Sequence, residues 1–172
     1  MTPRASHTPS LRPYLRSDLP VLSEIRYAAI EELTAGDYDE DQRQAWASAA
    51  EDEEALAESL EKGLTIVALV GGRPVGFIAM QQGGFIDQLY VDPVVARTGV
   101  ASALCDAIER LAASRGIERL SVDASDTAKP FFEKRGFDAQ YRNTVAIEGQ
   151  WLGNTRMTKT LAPLSAPGGR LQ

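Results

Sequence analysis

Between Phe85 and Ala124 the chain runs strand, turn, long amphipathic helix, strand, and this order restricts the fold more than any other feature. "FIDQLYVDP" is an apolar strand stopped at Pro93, "GVASALCDAIERLAASRG" repeats its apolar residues at helical spacing, and "IERLSVDA" returns to alternation. A strand–helix–strand crossover of this length makes the two strands parallel and the connection right-handed. Upstream, "LTIVALVGGRPVGFIAMQQGGFIDQLYV" predicts an antiparallel meander of three strands, with tight hairpins at Gly71-Gly72 and Gly83-Gly84. Downstream, "AQYRNTVAIEG" and "WLGNTRMTKTL" predict a terminal strand pair.

Ahead of the meander, a short strand is expected around Leu11 to Tyr14. A helix then opens near Asp18, with Pro20 in its first turn, and stops near Gly36, burying Leu22, Ile25, Ala29, Ile30 and Leu33. A second helical stretch breaks within "ASAAEDEEA", and Glu58 and Lys62 stand i,i+4 on its exposed face. The expected fold is α/β in the α+β sense: a central mixed, mostly antiparallel sheet with helices on both faces.

The chain has 172 residues, enough for one well-buried domain, expected over 11–161. The segments 1–10 and 162–172 are rich in Pro, Gly, Ser and Thr and are expected to be flexible tails. His7, the only histidine, falls in the first of them and is discounted as a catalyst. A net charge of −6 argues against nucleic acid, where affinity comes from clustered Lys and Arg. The single Cys105 excludes an internal disulfide and a Cys-rich zinc site, so no metal is expected; its helical setting reads as packing more than as a reactive thiol. No apolar run reaches the roughly 18 residues of a membrane span, and the N-terminus has no secretory h-region, so a cytoplasmic protein is expected.

The loop before the long helix, "VVARTGVAS", points to an anion. Gly99 allows close backbone approach, Ala101, Ser102 and Ala103 leave room, and the first-turn N–H groups have no helical partner. Arg97 can add a charge-assisted contact. A glycine that merely shapes a tight turn is the alternative. Neither the dinucleotide fingerprint nor the triphosphatase phosphate loop is present.

The element order, together with "LYVDP…RTGVASAL" and "AKPFFEKRGF", resembles the GNAT superfamily of acyl-CoA-dependent N-acyltransferases over Leu11 to Leu161. Within it, "FIDQLYVDP", "TAKPFFEKRGF" and "NTRMTKTL" are most similar to the YafP-type group of bacterial acetyltransferases. The resemblance implies splayed parallel strands at the sheet centre. It also implies that acetyl-CoA is held through its phosphates by Arg97, Thr98, Gly99, Val100, Ala101 and Ser102. Its pantetheine arm would pair with the backbone of Leu89, Tyr90 and Val91, with Ser125 and Phe132 beside it. At the family pattern Gln/Arg-x-x-Gly-x-Gly/Ala, this chain has Ala96 where Gln or Arg is usual, with Arg97 one place later, which implies weaker binding.

The implied reaction is direct attack of an amine on the thioester, with a strand N–H polarising the carbonyl. The family's usual acid, a tyrosine, is replaced by Phe132, so the thiolate leaves unassisted, through water, or with a proton from Tyr141, Tyr90 or Ser125. Asp123, on the polar face of "LSVDA" with Ser121, is the first candidate base and Asp87 the second, while Asp126 is expected to cap the next helix. Tyr38 and Trp46, among Asp37, Asp39, Glu40 and Asp41, are expected on the substrate lip, where the acidic loop either favours a cationic amine or is simply solvated. The activity implied is acetylation of a primary amine of a small molecule or peptide. The alternatives are a weakened acyl-CoA-binding module, or a transferase using another acyl-CoA. The edge "TVAIEG" makes a homodimer conceivable.

Overall fold

The computed structural model describes residues 8–163, so His7 and most of both expected tails lie outside the described residues. Seven strands form one sheet in the order β1-β2-β3-β4-β5-β7-β6: Ser10–Pro13, Leu64–Val70, Arg73–Gln81, Phe85–Val91, Arg119–Ser125, Gln150–Thr160 and Asp138–Ile147 respectively. Only β4 and β5 pair in parallel; the other neighbours are antiparallel. The meander is β2-β3-β4, and the β2–β3 hairpin turns through Gly71 and Gly72 at φ 58° and 78°, the left-handed pair a two-residue turn requires.

Helices α4 (Val100–Ser114) and α5 (Lys129–Lys134) cover one face of the sheet, and α1 (Leu19–Leu33), α2 (Glu40–Ala49) and α3 (Glu53–Lys62) the other. Leu104, Cys105 and Ile108 of α4 are fully buried with Ile78, Leu120 and Met157, and truncating a leucine there to alanine costs about 2–5 kcal/mol. On the opposite face Leu22, Leu56, Leu60 and Phe77 close a second core. Leu33, expected in the buried stripe, is 38% exposed, because α1 runs past the sheet and leaves its last turn at the rim of a cleft. The break between α2 and α3 falls at Ala50–Asp52, where the Asp52 side chain accepts from Ala55 N and opens the new helix. At the start of α1, Asp18 is buried and accepts from both terminal nitrogens of Arg12, at 2.7 Å each, and from Leu15 N at 2.9 Å.

Two departures from ideal pairing shape the sheet centre. β4 and β5 pair only at Phe85 with Ser121 and Ile86 with Val122, then separate. One residue later β4 carries a bulge: Gln88 lies opposite Ala79 and Ile86 opposite Met80, so Asp87 is the extra residue. Simple alternation would put Phe85, Asp87, Leu89 and Val91 on one face. The bulge instead groups Ile86, Leu89 and Val91 with the α4 core and turns Tyr90 toward Phe77 on the α1 face.

Candidate active site

The gap between β4 and β5 is the floor of the cleft. Asp92 N donates to Val75 O at 2.8 Å, and the antiparallel ladder alternates from there, so Tyr90 and Gln88 bond to β3. The N–H and C=O groups of Leu89 and Val91 therefore point the other way, into the gap left by β5. A cavity of about 500 Å³ reaches from this gap to the mouth of α4, lined by Leu89, Val91, Arg97, Gly99, Ser102 and Phe131 among others. A second, of about 190 Å³, continues from the same gap toward α1 and α2; Leu33, Leu89, Val91, Thr127 and Ala128 line both.

At the α4 mouth, Arg97 and Gly99 adopt positive φ, 63° and 97°, and the Thr98 hydroxyl donates to Val95 O, so the loop closes on itself. Gly99 is the N-cap with no side-chain cap, leaving the first N–H groups of the helix unclaimed. A Cβ on Gly99 would meet no protein atom within 4 Å, so the space ahead of the helix is open to a ligand. Arg97 is exposed beside it, with no ion-pair partner among the described residues. Open N–H groups, a helix dipole and a free guanidinium fit a pyrophosphate.

The smaller cavity holds the groups able to move protons. Asp87 Oδ2 accepts from Gln81 Nε2 at 3.1 Å and from the Ser59 hydroxyl of α3, while Oδ1 has no described donor. Asp123 is engaged at both oxygens: Arg156 Nε donates to Oδ1 at 2.5 Å, Arg156 Nη2 donates to Oδ2 at 3.0 Å, and Asn143 Nδ2 lies 3.3 Å from Oδ1. Both aspartates line the cavity, but only Asp87 presents an oxygen with no described donor. Tyr90 is the phenol on this cavity's wall, with the Arg26 guanidinium 5.7 Å from its ring centre. Phe132 is buried against Phe131 and Phe137 with one edge on the cavity, a packing role with no proton to give.

Three expectations are corrected. Tyr141 lies outside the cleft: it is 56% exposed on β6, its ring near the Arg156 guanidinium, because β7 inserts between β5 and β6 and carries it a strand too far away. Tyr38 is buried rather than on a lip; its hydroxyl donates to Gly153 O at 2.6 Å and accepts from Asp126 N at 2.9 Å, so it fastens the α1–α2 loop to β7 and to the β5–α5 turn. Asp126 does not cap α5; it binds Arg142, and the Ser125 hydroxyl accepts from Ala128 N instead. Trp46 does reach the cleft wall, packed edge-on against Tyr38 at 5.6 Å. Sequence reasoning missed Ser59, Gln81, Thr127 and Arg156. Of these only Arg156 left a trace, as the charged member of the alternating polar face Asn154, Arg156, Thr158.

The Acetyltransferase (GNAT) domain family matches residues 34–161. The chain belongs to the GNAT acetyltransferase family. This GNAT chain is 37% identical over 147 residues to the uncharacterised N-acetyltransferase YafP of Escherichia coli K12, covering 86% of this chain and 93% of YafP. A GCN5-related N-acetyltransferase from Rhodopseudomonas palustris, also described as an aminotransferase of class II, superposes with a TM-score of 0.88 at 50% identity, over 93% of this chain and all of that one. The PaiA N-acetyltransferase of Thermoplasma acidophilum, solved with coenzyme A, shares the fold at a TM-score of 0.74 and 19% identity, over 89% and 99% of the two chains. The mixed seven-stranded sheet of this GNAT chain thus matches that of its solved relatives.

Proposed function

We propose that this GNAT chain is an N-acetyltransferase that moves the acetyl group of acetyl-CoA to a primary amine by direct attack. The observation that carries the reading is one continuous cleft: a phosphate-fitting helix mouth at Gly99, a backbone slot at Leu89 and Val91, and an end cavity holding Asp87. The helix mouth takes the pyrophosphate, Arg97 adds its charge, and the slot groups bind the pantetheine amides as a neighbouring strand would. The amine nitrogen attacks the thioester carbon, a β4 N–H donates to the developing oxyanion, and the C–S bond breaks as the N–C bond stays. The proton lost from nitrogen passes to Asp87 Oδ1, directly or through water, and the departing thiolate takes a proton from Tyr90 Oη.

A second reading, an acyl-CoA-binding module without catalysis, is favoured by Ala96 and Phe132 at two positions where the family uses functional side chains. Calorimetry with acetyl-CoA tests the binding step, with Gly99→Glu placing bulk and negative charge in the open space at the helix mouth. Micromolar binding lost in the variant, with its circular dichroism intact, supports the cradle, and no binding by the wild type overturns both readings. CoA release dependent on an added amine then decides for the transferase over the binding module.

A further inference from the structure

The acetyl end of the cleft opens sideways into a recess that the reaction itself does not require. It is a cavity of about 120 Å³ between α2 and the β6–β7 hairpin, and it shares Trp46, Asp123 and Ser125 with the cavity that holds Asp87. Its walls are the rings of Tyr38 and Trp46 and the side chains of Val145, Ile147 and Leu152. Most of the polar groups at its edge are already engaged; among the described residues only the Ser125 hydroxyl proton and Asn154 Nδ2 have no acceptor. Tyr38 Oη holds Gly153 O and Asp126 N, both Asp123 oxygens hold Arg156, and Asn154 Oδ1 accepts from Asn143 Nδ2 at 3.0 Å. A second ammonium entering here would shed water and find no open acceptor, and a hydroxyl would find at most these two donors, whereas an alkyl or aryl group would only leave water. The size suits a branched alkyl chain or a small ring lying against the Trp46, Val145, Ile147 and Leu152 side.

Resting on the acetyltransferase reading, we infer that the acceptor is a primary amine carrying a compact apolar group, which fills the recess beside Trp46 while its nitrogen faces Asp87. Val145 and Trp46 then set specificity, and the acidic loop residues around Tyr38 play no part in it. Amines whose second end is polar are the poor substrates.

The test uses two primary amines, 3-methylbutylamine ending in a branched alkyl group and ethanolamine ending in a hydroxyl, and two readouts. The chain has two tryptophans, and Trp151 is 66% exposed on the hairpin, so Trp151→Phe leaves Trp46 as the sole indole, reporting from the recess wall. In the presence of CoA, 3-methylbutylamine is expected to shift Trp46 emission at a concentration at least about tenfold lower than ethanolamine, and kcat/KM with acetyl-CoA is expected to favour it by at least the same factor. Val145→Asp, at a position 41% exposed where folding tolerates the change, is expected to collapse that ratio. Equal titrations, or ethanolamine acetylated as well or better, overturn this inference and leave the transferase reading standing. Acetylation of neither of these amines, nor of any in a broader panel, overturns the transferase reading and this inference with it.

Discussion

Arg156 and Asp123 face each other across β7 and β5 as a forked pair, Nε to Oδ1 at 2.5 Å and Nη2 to Oδ2 at 3.0 Å. The pair is the reason we propose Asp87 over Asp123 as the base: both Asp123 oxygens already accept, which leaves less of the carboxylate for an amine. Asp87, on the adjacent central strand β4, has no described donor at Oδ1. Asp87→Asn is therefore expected to lower kcat by about a hundredfold or more, and Asp123→Asn by less than about tenfold. Steady-state rates on the two variants decide, and the reverse ranking would restore Asp123 as the base.

Phe132 and Tyr90 offer a paired test of the acid. Tyr90→Phe removes the phenol from the cavity wall, and kcat is expected to fall about tenfold or more with acetyl-CoA affinity unchanged. Adding Phe132→Tyr in the same chain restores a phenol at the family's usual position and is expected to recover most of that loss. A Tyr90→Phe enzyme of full activity would mean that water protonates the thiolate.

Tyr38 ties three segments with one hydroxyl. Tyr38→Phe leaves Asp126 N and Gly153 O without that partner and is expected to cost about 1–3 kcal/mol. For a domain of this size that is a fall in Tm of roughly 3–10 °C, read by calorimetry. An unchanged Tm would mean water replaces the hydroxyl at no cost.

Asp18 makes stability depend on pH at the acid end. The hydrogen bonds from Arg12 hold its carboxyl below the usual range, helped by Leu15 N and opposed by burial. A carboxyl whose pKa is lower folded than unfolded contributes its stability in full above the unfolded value near 4, and loses it as pH falls through the folded value. Denaturant unfolding of the wild type below pH 4 is expected to show that loss, and Asp18→Asn to show a flatter profile there with lower stability at neutral pH. Parallel profiles would remove Asp18 from the acid response.

What the sequence made legible was local. The α4 crossover, the meander and the Gly99 mouth each follow from patterns within one contiguous stretch of chain, and the structure has them all. Pairings between distant segments left no such trace. β7 slips between β5 and β6, which exiles Tyr141. The bulge at Asp87 re-aims β4, and no change in composition announces one extra residue. Ser59 meets Asp87 from 28 residues away, a contact set by how α3 packs on the sheet. Tyr38 misled for the opposite reason, because its acidic neighbours suggested water while its own ring was spent on the interior.

The two halves of the sheet are in register at only two described residue pairs, Phe85 with Ser121 and Ile86 with Val122, with Ser121 N donating to Gly84 O beside them, while the side chains of α4 run beneath both. The molecule is in this sense a book whose spine is a helix. Leu104 and Ile108 are packed into that spine and line neither cavity, so a methyl gained or lost there is expected to alter how far the pages stand open, and with them the active site, from underneath.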